Sequence, residues 1–214
     1  MSEYSLDWIC EVDGLLQPSD VPASAQAEMT HGTAIRQASV LVPVFWRQEE
    51  WHLLFIRRVK NARDRHSGQV AFPGGRRDPA DKDDIAVALR EAHEEIGLAP
   101  DRVRVLDSLG RYRTSSSYDV TPVVAVVPWP YPYLAQPSEV DRIFSIPLAW
   151  LADPQHVELK DRQFTLTETR NRLELKVVYF DHYDNELLWG ATARMTLSFL
   201  KALYDKQIIL PSPV

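Results

Sequence analysis

Apolar and polar positions along the chain change rhythm several times. In SLDWICEVDGLL, the residues Leu6, Ile9, Val12 and Leu16 recur at helical spacing, and QPSDVPASAQAEMTHG after it has the composition of a connecting loop. From Ala38 the pattern is that of strands: ASVLVPVFW and WHLLFIRR are rich in branched and aromatic residues, and the polar RQEE between them predicts a hairpin turn. Near Asp83 the period becomes that of a helix. Ile85, Ala88, Leu89, Ala92 and Ile96 fall on one stripe that should face a core. Asp83 or Asp84 is the expected cap, and Gly97 stands where a left-handed residue would end the helix. A second β-rich block follows: VRVLDSLGRYR, DVTPVVAVV, VDRIFSIP, QFTLTET and LELKVVYFD. The last helix, TARMTLSFLKALY, places Ala193, Thr196, Leu197, Leu200 and Tyr204 on one face. No internal repeat of roughly 20–50 residues is present. The order strands, helix, strands, helix implies an α/β protein with a mixed sheet between helices rather than a regular parallel βαβ array.

Composition narrows this further. At 214 residues and 45% hydrophobic content the chain can bury one sizeable core. We divide it into an N-terminal helical extension and loop (1–35), a main domain (36–206) and a tail (207–214). No stretch reaches the ~20 apolar residues of a membrane span, and the N-terminus lacks the order of a signal peptide, so the expected location is cytoplasmic and no membrane partner is expected. Cys10 is a lone cysteine, expected to be buried and inert. A formal net charge of −6 argues against a nucleic-acid partner. A small anionic ligand stays open, because RRVKNARDR (Arg57 to Arg65) and GGRRD form a basic stretch, although alone they read as a solvated loop. PWPYPYLAQP, from Pro128 to Pro137, predicts a stiff extended loop whose rings pack on the domain or, less commonly, stack on a base. RTSSSYD has no G-x-S-x-G setting and reads as a polar loop; His66 reads as an exposed loop histidine.

The central helix carries the chemistry. Glu91 and Glu95 lie one turn apart at the border of the apolar stripe, with Glu94 beside them. Like charges so placed each cost a few tenths of a kcal/mol, roughly, and Arg90 offsets only part of that. An acidic solvated face is the ordinary reading of EAHEE. The upstream PGG changes the balance, because glycines allow close backbone approach to a ligand. A tight loop, an acidic helix and a basic flank suit oxygen ligation of Mg²⁺ or Mn²⁺ beside a phosphate.

At these residues the chain resembles the Nudix hydrolases, whose box reads G-x5-E-x7-R-E-U-x-E-E-x-G-U with U apolar. REAHEEIGL (Arg90 to Leu98) matches its second half. The first half departs from it: counting back from Arg90 puts Lys82 at the first glutamate, and counting forward from Gly75 puts Asp81 there. LFIRRVKNARDRHSGQVAFPGGRRDPAD is similar to the longer signature of the coenzyme A branch, with Leu54, Arg58, Arg63, Gly68, Phe72, Pro73, Gly74 and Gly75 in order; WGATA (Trp189 to Ala193) also looks like that branch. FI and Val59 differ from the expected residues, and one extra residue separates Arg63 from Gly68.

The resemblance implies the Nudix fold, an α/β/α sandwich around a mixed β-sheet, and hydrolysis of a P–O–P linkage dependent on Mg²⁺ or Mn²⁺. It implies that Glu91, Glu94 and Glu95 hold metal, that Arg90 orients them, and that Glu91 or Glu139 is the general base. The branch implies coenzyme A or acyl-coenzyme A as substrate, with Arg58, Arg63, Gly74 and Gly75 on the substrate side and 3′,5′-ADP and 4′-phosphopantetheine as products. Two rivals remain: an enzyme for ADP-ribose, a sugar nucleotide or a nucleoside triphosphate, and a non-catalytic nucleotide sensor with a degenerate box. A homodimer also stays open.

Overall fold

The computed structural model of the protein describes residues 7–15, 35–60, 67–114, 118–165 and 172–213. Strands β1 (Arg36–Arg47) and β2 (Glu50–Arg58) form the expected antiparallel hairpin. Its two-residue turn is made by Gln48 and Glu49, both at positive φ (51° and 64°). That is the backbone of a hairpin whose turn twist matches its strands. Short strands β3 (Val70–Ala71) and β4 (Gly74–Arg76) pair with β2 and β1. Helix α1 (Asp7–Leu15) precedes them, and α2 (Asp84–Ile96) follows them.

Beyond α2, VRVLDSLGRYR divides into β5 (Arg104–Ser108) and β6 (Tyr112–Arg113), interrupted around Gly110, and both pair with β7 (Tyr118–Val126). β7 runs parallel to β1, with Leu41 opposite Val123, and β8 (Val140–Pro147) runs antiparallel to β2. Among the described residues these eight strands make one mixed sheet. After the short α3 (Leu148–Leu151), strands β9 (Val157–Thr165), β10 (Arg172–Tyr183) and β11 (Glu186–Trp189) form a separate three-stranded antiparallel sheet, and α4 (Gly190–Tyr204) ends the fold.

Alternation along the strands sorts side chains into two cores. Leu41, Phe45, Leu54, Ile56 and Val123 meet Ala88, Ala92 and Ile96 of α2. Val42, Val44, Leu53, Phe55 and Val124 face the other way, toward Phe199 and Leu200 of α4, Ile9 of α1, and Val178 and Phe180 of the small sheet. The result is a mixed sheet between helices, as the order of elements predicted, in the α/β/α sandwich that the resemblance implied.

The details depart from expectation in several places. Within the helix stripe, Ile85 is 36% exposed and Leu89 half-buried, while Val87 enters the core, so the buried face is rotated from the expected one over the first half of α2. Cys10 is exposed rather than buried: α1 turns Ile9 inward, and the adjacent residue, about 100° round the helix, faces out. Ile208 is buried and Leu210 packs on the core, so the expected tail contributes apolar contacts to the domain. Leu6, Leu16, Arg63 and His66 lie outside the described residues. Among the described residues no helix is long and apolar enough to cross a membrane.

Candidate active site

The site is assembled on α2. Asp83 caps it, accepting a 2.8 Å hydrogen bond from the Ala86 amide, and Gly97 at φ 67° closes it in the left-handed conformation. The proline-rich loop packs against that end. Tyr131 Oη donates to the Gly97 carbonyl and accepts from the Ala99 amide, both at 3.0 Å, while Trp129 stacks on Phe45 with centroids 4.8 Å apart. These rings therefore pack on the body of the domain, and the loop they belong to is bonded to the end of α2 through the Leu134 and Gln136 amides.

The FPGG turn brings backbone onto the glutamates. Gly74 pairs with Val40, and a Cβ there would lie 2.4 Å from the Ser39 carbonyl oxygen. At Gly75 a Cβ would lie 2.4 Å from Glu91 Oε1. At Gly74 the obstacle is backbone, so glycine is required there by close approach, whereas at Gly75 a side chain would have to displace the Glu91 carboxylate. The Gly74 amide donates to Glu95 Oε2 at 2.9 Å, and Arg58 Nη1 lies 3.6 Å from Glu95 Oε1.

Glu95 is 1% exposed, not at a border. Burial pushes its carboxyl up to about 7, the Gly74 hydrogen bond and Arg58 oppose that, and the charges of Glu91 and Glu139 raise it further. Glu91 is also raised, chiefly by burial, with Arg90 opposing and Glu94 and Glu139 adding to it. Glu139, which lies exposed in the segment leading into β8, is thus near enough for its charge to act on both.

Arg90 is the hub. Its Nη1 donates to Glu91 Oε1 and to Glu94 Oε2, both at 3.0 Å. Nε and Nη2 donate to the two oxygens of Asp81 at 3.1 and 3.0 Å, and Nη2 also donates to the Arg76 carbonyl. Asp81, held below the usual carboxylate range first by the Arg90 hydrogen bonds, is therefore the acidic residue that meets the arginine; Lys82 is exposed.

Among the described residues, no three acidic, histidine or cysteine side chains converge closely enough to hold a metal ion. Arg90 draws Glu91 and Glu94 toward itself instead. The donor set nonetheless fits Mg²⁺ or Mn²⁺: every oxygen donor is hard, and Glu91, Glu95 and Glu139 repel one another across a partly desolvated space that a divalent cation would neutralise.

One network was not foreseen from the sequence. Arg57 and Arg142 both grip buried Glu186, at 2.8 and 2.9 Å, and Arg57 also holds Asp141. The available signal was the pair Arg57–Arg58 in a strand, since adjacent strand residues point to opposite faces and therefore cannot share one role.

Comparisons with known proteins agree with this geometry. A family model described as the NUDIX domain matches residues 35–179. Proteins named uncharacterized Nudix hydrolase NudL from Yersinia pestis (strain Pestoides F) and Yersinia pseudotuberculosis serotype O:1b (strain IP 31758) are each 41% identical to this chain over 159 residues. The match covers 74% of this chain and 75% of each relative. The crystal structure of RenU, a Nudix hydrolase from M. smegmatis, is similar with a TM-score of 0.55. It covers 84% of this chain and 91% of that one at 15% identity, a likeness of fold alone.

Proposed function

Because the chain belongs to the Nudix hydrolase family and is a pyrophosphohydrolase of nucleotide-linked substrates, we propose that it hydrolyses the diphosphate of coenzyme A or an acyl derivative, giving 3′,5′-ADP and (acyl-)4′-phosphopantetheine. The observation that carries this reading is the approach of Arg58, the first arginine that matches the coenzyme A-type signature, to Glu95, with Gly74 of that signature bonded to the same carboxylate. A single run of sequence thus supplies an arginine and the FPGG backbone at the glutamates, where a diphosphate would lie.

Glu91, Glu94 and Glu95 would hold Mg²⁺ or Mn²⁺, which when bound neutralises phosphate charge and lowers the pKa of water. The remaining work falls to the chain. Arg90 holds Glu91 and Glu94 through its fork, and Asp81 holds Arg90. Gly74 fixes the buried Glu95 through its amide. Glu139, exposed and close to buried Glu95 and half-buried Glu91, accepts the proton of the attacking water, whereas Glu91 is already engaged by Arg90. The new P–O bond forms as the bond to the bridging oxygen breaks, and the released phosphate oxygen leaves with the product. Arg63 and the exposed part of Arg58 offer forked donors to the 3′-phosphate.

Arg63→Ala tests this. It should raise KM for coenzyme A about tenfold or more, as a hydrogen bond to a charged group contributes ~1.5–3 kcal/mol. KM for dephospho-coenzyme A, which lacks the 3′-phosphate, should barely move. Equal changes for the two substrates would refute the assignment.

A further inference from the structure

Strands β2 and β8 stay in register from His52 opposite Pro147 to Arg57 opposite Arg142; then Arg58 lies opposite Val140. Asp141 is the extra residue of a β-bulge. Side chains alternate with a period of two, so a one-residue slip changes which of them faces each side. Ile143 packs in the α2-side core, and strict alternation would send Asp141 there and Val140 away. Instead Val140 is buried in that core. Asp141 meets Arg57, whose Nε donates to Oδ2 at 2.7 Å.

Arg57 is itself anchored by buried Glu186, which Arg142 also holds. The chain just before the bulge is drawn to the site by backbone bonds: the Val59 amide donates to the Glu139 carbonyl at 2.9 Å, and the Gln136 amide donates to the Glu95 carbonyl at 2.9 Å. The paired arginines thus divide the task. Arg58 faces Glu95 from one side of β2, while Arg57 grips the bulge from the other.

We propose that Arg57 and Asp141 are positioning residues that, by holding this bulge, aim Glu139 at the Glu91 and Glu95 pair. The inference rests on the role given to Glu139 under the proposed function. A double-mutant cycle tests it with the full chain, Mg²⁺ and the nucleotide substrate that the enzyme cleaves fastest. Asp141→Ala should lower kcat about tenfold with KM within about twofold, because a small misplacement of a reacting group is costly. In a Glu139→Gln background the same substitution should change kcat by less than about twofold, since nothing is left to aim. Asp141→Asn, which keeps an oxygen for Arg57, should recover most of the rate. If Asp141→Ala does not fold, Arg57→Lys serves in the same cycle, as it keeps the charge and loses the fork. Equal slowing in both backgrounds, or an effect on KM alone, overturns the proposal. Normal turnover by Glu139→Gln would be a separate failure: it removes Glu139 from the reaction, and the positioning role goes with it.

Discussion

Gly75 and Glu91 are interlocked, because the glutamate carboxylate occupies the place a Cβ would take. Gly75→Ala should therefore displace Glu91 and cut turnover by about 10²-fold, while the sheet stays intact; initial rates beside a thermal melt check this. Glu95 gives a different kind of test. Its folded-state carboxyl sits near 7 against an ordinary 4.5, so the folded protein binds this proton more tightly than the unfolded chain. The stability linked to Glu95 is present below about 4.5 and lost as pH rises through about 7. In metal-free protein, Glu95→Gln should gain on the unaltered enzyme across that window, by a few degrees in Tm, roughly. A pH-independent difference would count against a buried, proton-hungry Glu95. The sequence placed all three glutamates on one edge of a helix. It did not reveal which one is buried, because that depends on a glycine turn 21 residues earlier folding back over it.

The helix and the hairpin were the most legible elements. α2 announced Ala88, Ala92 and Ile96 of its buried face and both caps, since these signals lie within a few residues of one another; β1 and β2 announced their turn by a polar break in two apolar runs. What stayed hidden was non-local: β4 closing on β1, the Asp81 contact with Arg90, and the bulge in β8. Arg90→Lys should lower turnover about 10- to 100-fold, as losses of residues that orient ligands do, with little change in melting. A Gln48→Asn, Glu49→Gly double substitution should act oppositely. Both positions have positive φ, which non-glycine residues adopt at a cost of about 1 kcal/mol or more. Relieving it should raise Tm by about 2–4 °C in a chain of this size and leave activity unchanged, as a melt and a rate assay would show.

At the scale of the molecule, the sandwich puts the chemistry on one layer and the apolar bulk of α1, α4 and the small sheet on the other. The order of elements suggested that arrangement. The parallel pairing of β1 with β7 and the separation of β9–β11 as a second sheet followed only from long-range packing, to which sequence periodicity is blind. The same architecture joins Arg58 and the FPGG turn to Glu95, and the chain leading to Glu139 is bonded to β2 and to the end of α2, so that an arginine, glycine backbone and carboxylates stand together. Incubation with coenzyme A and Mg²⁺ or Mn²⁺, with products resolved by mass spectrometry, tests the central claim most directly. Formation of 3′,5′-ADP and 4′-phosphopantetheine at a higher kcat/KM than for ADP-ribose or any nucleoside triphosphate is the predicted result. Faster cleavage of those other nucleotides, or binding of coenzyme A without cleavage, would contradict it.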